Sequence, residues 1–295
     1  MLIVILLVSS CTAKPIPNPN PPEVVVEIEP INNTNFTNEV EVIVEQKPVT
    51  VFTPRKENLT VYVLDVEGNA IIIQYKNNAI LVDSGFETDS NKVLKALRDL
   101  GIETLDYIFA TNTKPKNIGG MPYIILRTTP TYYAEGIPTY INQTVKINNI
   151  ERIKNDKTIF MDDLAINVLV GYDDGYGFAL DNLDDNSLVI KVTYGNSNFL
   201  LMSDCSLECE EKIKNDGIQA NVVKISNSCD ATSLTFLQRV NPTWAIISGQ
   251  NESFCPLVLE RFNNLNIPVF MAQDKGNMFI TTDGLNFKID WNKDG

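Results

Sequence analysis

From Leu59 onward, apolar residues fall into short runs whose spacing separates strands from helices. Leu59 to Val66 and Asn69 to Tyr75 are rich in β-branched residues and are joined by Glu67-Gly68, which predicts two strands around a turn. Ala79 to Val82 predicts a short buried strand ending in Asp83-Ser84-Gly85. Ser90 to Leu100 carries Val93, Leu94, Leu97 and Leu100 as a helical stripe, and Gly101 closes it. Another buried strand begins at Leu105 and runs through a polar loop to a helix start at Gly119-Gly120. Strands are expected again at Thr158 to Phe160, Ala165 to Val170, Ser187 to Thr193 and Asn198 to Met202. The last third alternates strand and helix through Ala220 to Ile225, Thr232 to Val240, Trp244 to Ile247, Pro256 to Leu265 and Val269 to Met271. A hairpin from Met278 to Ile289 ends the pattern. Many strands with helices between them late in the chain suit two stacked sheets with helices outside, a four-layer αββα sandwich of the α/β (α+β) class.

Composition divides the 295 residues. Hydrophobic residues are 44% and charged residues 21%, enough for a real core over most of the length. Residues 12–57 differ: Pro15, Pro17, Pro19, Pro21 and Pro22 alternate with Asn, and Glu23, Glu27, Glu29, Glu39, Glu41 and Glu45 follow among apolar residues. That composition predicts an extended, polyproline-type tether, at roughly 3 Å per residue where extended. The folded domain is expected over residues 58–292. Net charge is −13 and the pI about 4.5, which opposes long-range attraction to nucleic acid or anionic lipid but leaves room for a local basic pocket.

Residues 1–11 form an apolar run ending in Val8-Ser9-Ser10-Cys11, which resembles a lipoprotein signal with Cys11 as the lipidated residue after cleavage. No Lys or Arg precedes the run, which departs from such signals; the plain alternative is a frayed apolar N-terminus. The run is too short to span a bilayer. The reading implies an exported protein, attached through lipid to the outer face of the cytoplasmic membrane or the cell surface. Four further cysteines, Cys205, Cys209, Cys229 and Cys255, are an even number and could form two disulfides in an oxidising compartment. Sequons at Asn32, Asn35, Asn58, Asn142 and Asn251 agree weakly with export.

The loop after the Leu105 strand reads Thr111-Asn112-Thr113-Lys114-Pro115-Lys116-Asn117-Ile118-Gly119-Gly120. It resembles the metallo-β-lactamase signature Thr-His-x-His-x-Asp-His-x-Gly-Gly, whose metal-binding positions fall here on Asn112, Lys114, Lys116 and Asn117. The chain has no histidine at all. Other segments resemble the soluble domain of ComEC, the competence protein for DNA uptake. They are Val61 to Gln74, Ile80 to Gly85, Asn186 to Ile190, Phe199 to Asp204, Val223 to Ser228, Ala245 to Ser248 and Val258 to Phe262. The resemblance covers roughly Leu59 to Ile289 and implies the metallo-β-lactamase fold. The family's paired histidines fall on Asn227 and Ser228 and a later one near Ser253, so Asp204 alone survives among the ligands. Asp83 matches a residue that orders the neighbouring loop.

Zinc requires three or four converging imidazoles, thiolates or carboxylates, and a lysine ammonium repels a dication. One carboxylate cannot hold the metal that makes the hydrolytic nucleophile, so no cofactor is expected. Carboxylates left behind by a lost dication need new partners if buried. Lys114 and Lys116 are candidates to pair with Asp204 or Asp83; the plain alternative is two surface lysines. The same lysines beside Gly119 and Gly120 are a candidate anion site. The family fold gathers the cysteine-bearing loops at one edge, which favours Cys205–Cys209 and Cys229–Cys255 disulfides, with a four-thiolate zinc site as the alternative. Asp173, Asp174, Asp181, Asp184 and Asp185 form an acidic stretch without calcium-loop spacing, expected to be solvated. Trp244 is expected to pack in the core. Two function classes result. One is a non-catalytic binding or scaffold module for nucleic acid, another anionic ligand or a surface protein. The other is a phosphodiesterase or nuclease using a hard cation held by Asp204, Asp230 and amide oxygens.

Overall fold

A computed structural model describes residues 57–125, 131–134, 150–171, 187–213, 217–226, 229–249 and 255–292. The leader, the proline-rich tether up to residue 56, the acidic stretch, Asn227, Ser228 and Ser253 lie outside these residues, as do all the sequons except Asn58, which is exposed.

Strands β1 (Leu59–Val63), β2 (Ile71–Tyr75) and β3 (Asn78–Val82) form an antiparallel meander. Strands β4 (Tyr107–Ala110), β5 (Thr131–Ala134) and β6 (Ile150–Glu151) extend it in parallel. The second sheet begins with β7 (Thr158–Met161), β8 (Leu164–Val170), β9 (Val189–Tyr194) and β10 (Ser197–Leu201), all antiparallel. It continues in parallel through β11 (Val222–Lys224), β12 (Trp244–Ile247) and β13 (Val269–Met271). The chain then returns to the first sheet as β14 (Asn277–Thr282) and β15 (Phe287–Asn292), with β14 against β1. The strand orders are β15-β14-β1-β2-β3-β4-β5-β6 and β13-β12-β11-β10-β9-β8-β7.

Helices α1 (Ser90–Asp99), α2 (Pro115–Ile118) and α3 (Met121–Ile125) follow strands of the first sheet. Helices α4 (Leu207–Lys212), α5 (Leu234–Val240), α6 (Pro256–Asn264) and α7 (Ala272–Lys275) follow strands of the second. Three apolar layers account for the stacking. Alternate residues of both sheets, among them Val61, Ile73, Val82, Phe109, Ile166, Val192, Phe199 and Leu201, fill the space between the sheets. The opposite face of the first sheet packs Ile72, Leu81 and Ile108 against Val93 and Leu97 of α1. The opposite face of the second packs Leu200, Val223 and Ile247 against Phe236, Leu237, Val258 and Phe262. Each such side chain contributes about 1.5–3 kcal/mol by leaving water. This is the αββα sandwich that the periodicity predicts. Trp244 packs as expected, edge to face on Phe270 and Phe287.

Element ends differ from the sequence expectation where hydrogen bonds leave the sheet. β1 stops at Val63 because the Leu64 N–H turns to Ala70 O (3.1 Å) and the Asp65 N–H is taken by the Asn277 side chain (2.8 Å). Helix α4 is not apparent from periodicity: its few residues make no stripe, and its signal is the cap, in which Ser206 Oγ accepts from Cys209 N (3.2 Å).

Candidate functional site

Parallel strands of both sheets end at one edge, and their carboxyl-end loops carry the polar residues. β3 runs into Asp83-Ser84-Gly85, β4 into Thr111-Asn112, β10 into Ser203-Asp204 and β12 into Ser248, while Lys224 closes β11. Side chains alternate along β11, so Val223 joins the helix-facing layer while Val222 and Lys224 face the other sheet. Asn69, in the turn before β2, completes the group from the first sheet.

Asp204 sits at the centre with 2% of its surface exposed. Its Oδ1 accepts from Lys116 Nζ at 2.7 Å and Asn69 Nδ2 at 3.4 Å. Its Oδ2 accepts from Asn112 Nδ2 at 3.1 Å and Asn117 Nδ2 at 3.3 Å. Lys224, equally buried, donates from Nζ to Asn69 Oδ1 (3.1 Å) and to the Ser203 carbonyl (3.3 Å). The Asn69 amide is used at both ends: its oxygen also accepts from Ser248 Oγ (2.9 Å), and its nitrogen donates to Asn117 Oδ1 (3.0 Å). Asn112 Nδ2 also reaches Ser187 Oγ (3.0 Å).

Asp83 forms the adjoining layer. With φ at 60°, it accepts from the Thr111 N–H (2.9 Å) and hydroxyl (2.7 Å). The Thr111 hydroxyl also bonds Ser203 Oγ and accepts from Asn117 Nδ2 (3.0 Å). Asp83 therefore orders the β4 loop.

The electrostatics follow from burial and pairing. Burial pushes Asp204 up, but the Lys116 and Lys224 cations and the amide donors outweigh it, and its carboxyl lies below the ordinary value. Burial raises Asp83 to about 7, against the lowering effect of the Thr111 donors. Burial pulls Lys224 down to about 8, while Asp204 draws it back up. Lys116 and Lys224 thus both stabilise the Asp204 carboxylate inside a hydrogen-bonded cluster, while Asp83 is held closer to its neutral form by burial.

The backbone beneath is interlocked. Lys116 O accepts from Asn69 N (2.8 Å), Asn117 O from Ser84 N (2.6 Å), and Asn69 O from Gly85 N (2.7 Å). Asp89, 2% exposed, accepts from the N–H groups of Glu67 (3.0 Å), Gly68 (2.9 Å) and Phe86 (2.9 Å). A Cβ on Gly68 would lie 2.1 Å from Lys116 O, so only glycine fits there.

Asn112, Lys116, Asn117 and Asp204 are therefore brought together with Asp83 beside them. Lys116 makes the anticipated ion pair with Asp204. The second cation acting on Asp204 is Lys224 rather than Lys114, whose backbone N–H instead donates to Asn112 Oδ1 (2.9 Å). Gly119 N donates to Pro115 O (2.9 Å) and Gly120 N to Gly85 O (3.1 Å), and a Cβ on either glycine would strike the backbone of residues 84–87. With these N–H groups bonded within the chain, the glycine pair serves close packing of α2 on residues 84–87.

The sequence reading missed Asn69, Ser187, Ser203, Lys224 and Ser248. Lys224 carries a signal: it is a lone charge inside the β-branched run Val222-Val223-Lys224-Ile225. The others are ordinary loop residues by sequence.

Cys205 and Cys209 are joined by a disulfide across the first turn of α4, beside Asp204. A four-cysteine zinc site is thereby excluded. The second expected pairing needs correction: Cys229 and Cys255 are free thiols, and the Cys229 thiol hydrogen-bonds to Cys255 without a covalent bond.

The donor set at the cluster does not fit a dication. Among the described residues, no three His, Cys, Asp or Glu side chains converge. The asparagines bonded to Asp204 present nitrogens to it, and an ammonium lies against Oδ1.

No family model matches the sequence, and no curated protein matches it. Solved structures do. The metallo-β-lactamase fold protein YhfI from Bacillus subtilis is 13% identical with a TM-score of 0.53, over 77% of this chain and 100% of that one. CmlA, a diiron β-hydroxylase from Streptomyces venezuelae, is 9% identical with a TM-score of 0.51, over 74% of this chain and 53% of that one. At such identities the likeness concerns architecture alone. The two stacked sheets and the outer helices are those of the metallo-β-lactamase fold.

Proposed function

We propose that this protein is an exported lipoprotein whose folded domain binds or scaffolds a partner and does not hydrolyse a substrate. The observation that carries the reading is the 2.7 Å pair between Lys116 Nζ and the buried Asp204. The one carboxylate left at the metal positions is saturated by an ammonium and amide N–H groups, so Asp204 is committed within the chain and is not free to bind a cation or take a proton. Cys11 would hold the protein at the outer face of the membrane or the cell surface, with residues 12–57 as a tether. The ComEC-like motifs make nucleic acid, a nucleotide or other anionic ligand, or a surface protein the first classes to screen, and the acidic composition argues against electrostatics as the source of affinity.

The second reading is a hydrolase with a hard cation at Asp204, helped by Asp230. The fold shared with a diiron enzyme favours it. A cation there would have to displace Lys116 and turn the amides of Asn112 and Asn117. Elemental analysis of the purified full chain, with a phosphodiester assay in Mg²⁺, Mn²⁺ and Zn²⁺, decides. The binding-module reading expects substoichiometric metal and hydrolysis no faster than the buffer. Stoichiometric metal with hydrolysis lost in Asp204→Ala would establish the enzyme instead. The anchor is tested separately: Cys11→Ala should move the protein from the membrane fraction to the soluble one.

A further inference from the structure

Cys229 and Cys255 stand apart from the Asp204 cluster and have no role in the reading above. Cys255 is the N-cap of α6, with Pro256 in the first turn. The Val258 N–H donates to the Cys255 carbonyl (3.0 Å), which starts the nine-residue helix, and the thiol itself caps no backbone N–H. The Cys229 thiol donates to the Cys255 sulfur. Cys229 is exposed and Cys255 is buried behind it. Arg261, in the second turn of α6, donates to the carbonyls of Ala231 (2.7 Å) and Thr232 (3.1 Å), and Glu210 accepts from Ser233 N (3.1 Å). The loop carrying Cys229 is therefore fixed against α6 with the two sulfurs in contact. The Cys229 thiol beside it, and the Arg261 charge, favour thiolate at Cys255. By contrast, Cys205 and Cys209 are already joined and fully buried. Leu234 and Leu257, near the two thiols in sequence, are exposed apolar residues at the starts of α5 and α6.

We infer that Cys229 and Cys255 form a redox-active dithiol that exchanges with an accessible disulfide of a small molecule or an extended polypeptide. The Cys229 proton passes along the S–H···S bond to Cys255 as Cys229 attacks a disulfide RSSR′. A Cys229–SR bond forms, the S–S bond of the substrate breaks, and R′S⁻ leaves. R′S⁻ takes the proton from Cys255, whose thiolate then attacks the Cys229 sulfur and expels RS⁻. The dithiol monoanion and RSSR′ thus give the Cys229–Cys255 disulfide, R′SH and RS⁻. Two electrons pass to the substrate.

The test equilibrates the full chain with glutathione buffers from fully oxidised to fully reduced, quenches with acid, alkylates free thiols and maps the cysteines by peptide mass. Conversion of the Cys229–Cys255 pair that follows the glutathione ratio, with Cys205–Cys209 oxidised throughout, supports the assignment. Two thiols unchanged in glutathione disulfide, or a disulfide unchanged in reduced glutathione, overturns it. The Cys255→Ser variant should accumulate a mixed disulfide at Cys229, forming about tenfold more slowly than wild-type oxidation, because the thiolate that takes the proton is gone. Equal rates would make Cys229 a merely exposed thiol and overturn the proposal. A disulfide-linked apolar peptide run beside glutathione disulfide separates the two substrate sources. Faster reaction with the peptide assigns the pair to polypeptides through Leu234 and Leu257, and equal rates assign it to small disulfides.

Discussion

Lys224 Nζ, on the second sheet, donates to Asn69 Oδ1, on the first, at 3.1 Å. The bond ties the two halves of the sandwich where the inter-sheet apolar layer gives way to the polar strand ends. Lys224 can be buried only because Asn69 Oδ1 and the Ser203 carbonyl accept its hydrogen bonds while Asp204 supplies counter-charge. Asn69 in turn is held by Lys116 O through its own N–H.

Asn69→Ala should therefore cost more than an average polar deletion. It leaves Lys224 without a side-chain acceptor and removes partners from Ser248 and Asn117. A loss of about 3 kcal/mol is expected, since stranding a buried charged donor exceeds the ~1–3 kcal/mol of a neutral one. Urea unfolding measures it. Adding Lys224→Met should recover part of the loss, because the stranded ammonium is then absent, and strict additivity of the two changes would count against the tie.

Asp204→Asn should destabilise by about 3–5 kcal/mol, the usual result of removing one member of a buried ion pair. The amide keeps the volume but leaves the Lys116 and Lys224 charges facing each other. Lys116 is 28% exposed on its side chain and can swing toward water, whereas Lys224 cannot. Lys224→Met in the Asp204→Asn background should thus rescue more stability than Lys116→Met does. The reverse order of rescue would show that Lys116 carries the cost.

The layers were legible because they rest on local periodicity. Alternation in β8 and the stripe at Val93 and Leu97 each identify a face before any partner is known. The pair Lys116–Asp204 was legible for a different reason: the motif frame fixes which loop positions converge, and a buried carboxylate needs a counter-charge. Lys224, Asn69 and Ser248 were not legible. Their meeting depends on strands separated by 155 and 179 residues in sequence, and no local pattern encodes that distance. The Cys229–Cys255 contact was expected as a disulfide. The proximity holds, but sequence cannot tell a bonded pair from one sharing a proton.

Stability should vary with pH in two windows. Asp83 is raised from 3.8 to about 7, so its contribution is complete below the unfolded value and is lost as pH climbs through the folded one; stability falls between about pH 4 and 7. Lys224 is lowered from 10.5 to about 8, so its contribution is complete above the unfolded value and is lost as pH drops through the folded one; stability rises again between about pH 8 and 10.5. Asp204 is lowered, so its contribution is lost only in acid. Thermal unfolding across pH should show the dip, and Asp83→Asn should flatten its acid limb alone. A monotonic profile in the wild-type protein would contradict both assignments.

Gly68→Ala separates backbone packing from charge. Gly68 makes no side-chain contact, and its N–H is held by Asp89 (2.9 Å), yet an added Cβ would sit 2.1 Å from Lys116 O and 2.8 Å from the Gly85 Cα. Both neighbours are backbone, so neither can rotate away. Relief requires α2 to retreat, which lengthens the Asn69 N to Lys116 O bond and draws Lys116 off Asp204. Overpacking of this kind costs about 1–3 kcal/mol, and the lost ion pair should add to it. Gly217→Ala is the matched control, because a Cβ there meets nothing within 4 Å. The control should unfold at the wild-type urea concentration or slightly above it, since alanine restricts the unfolded chain. If Gly68→Ala behaves like the control, the turn at residues 67–69 yields without disturbing α2, and the Lys116–Asp204 pair does not depend on the backbone lock beneath it.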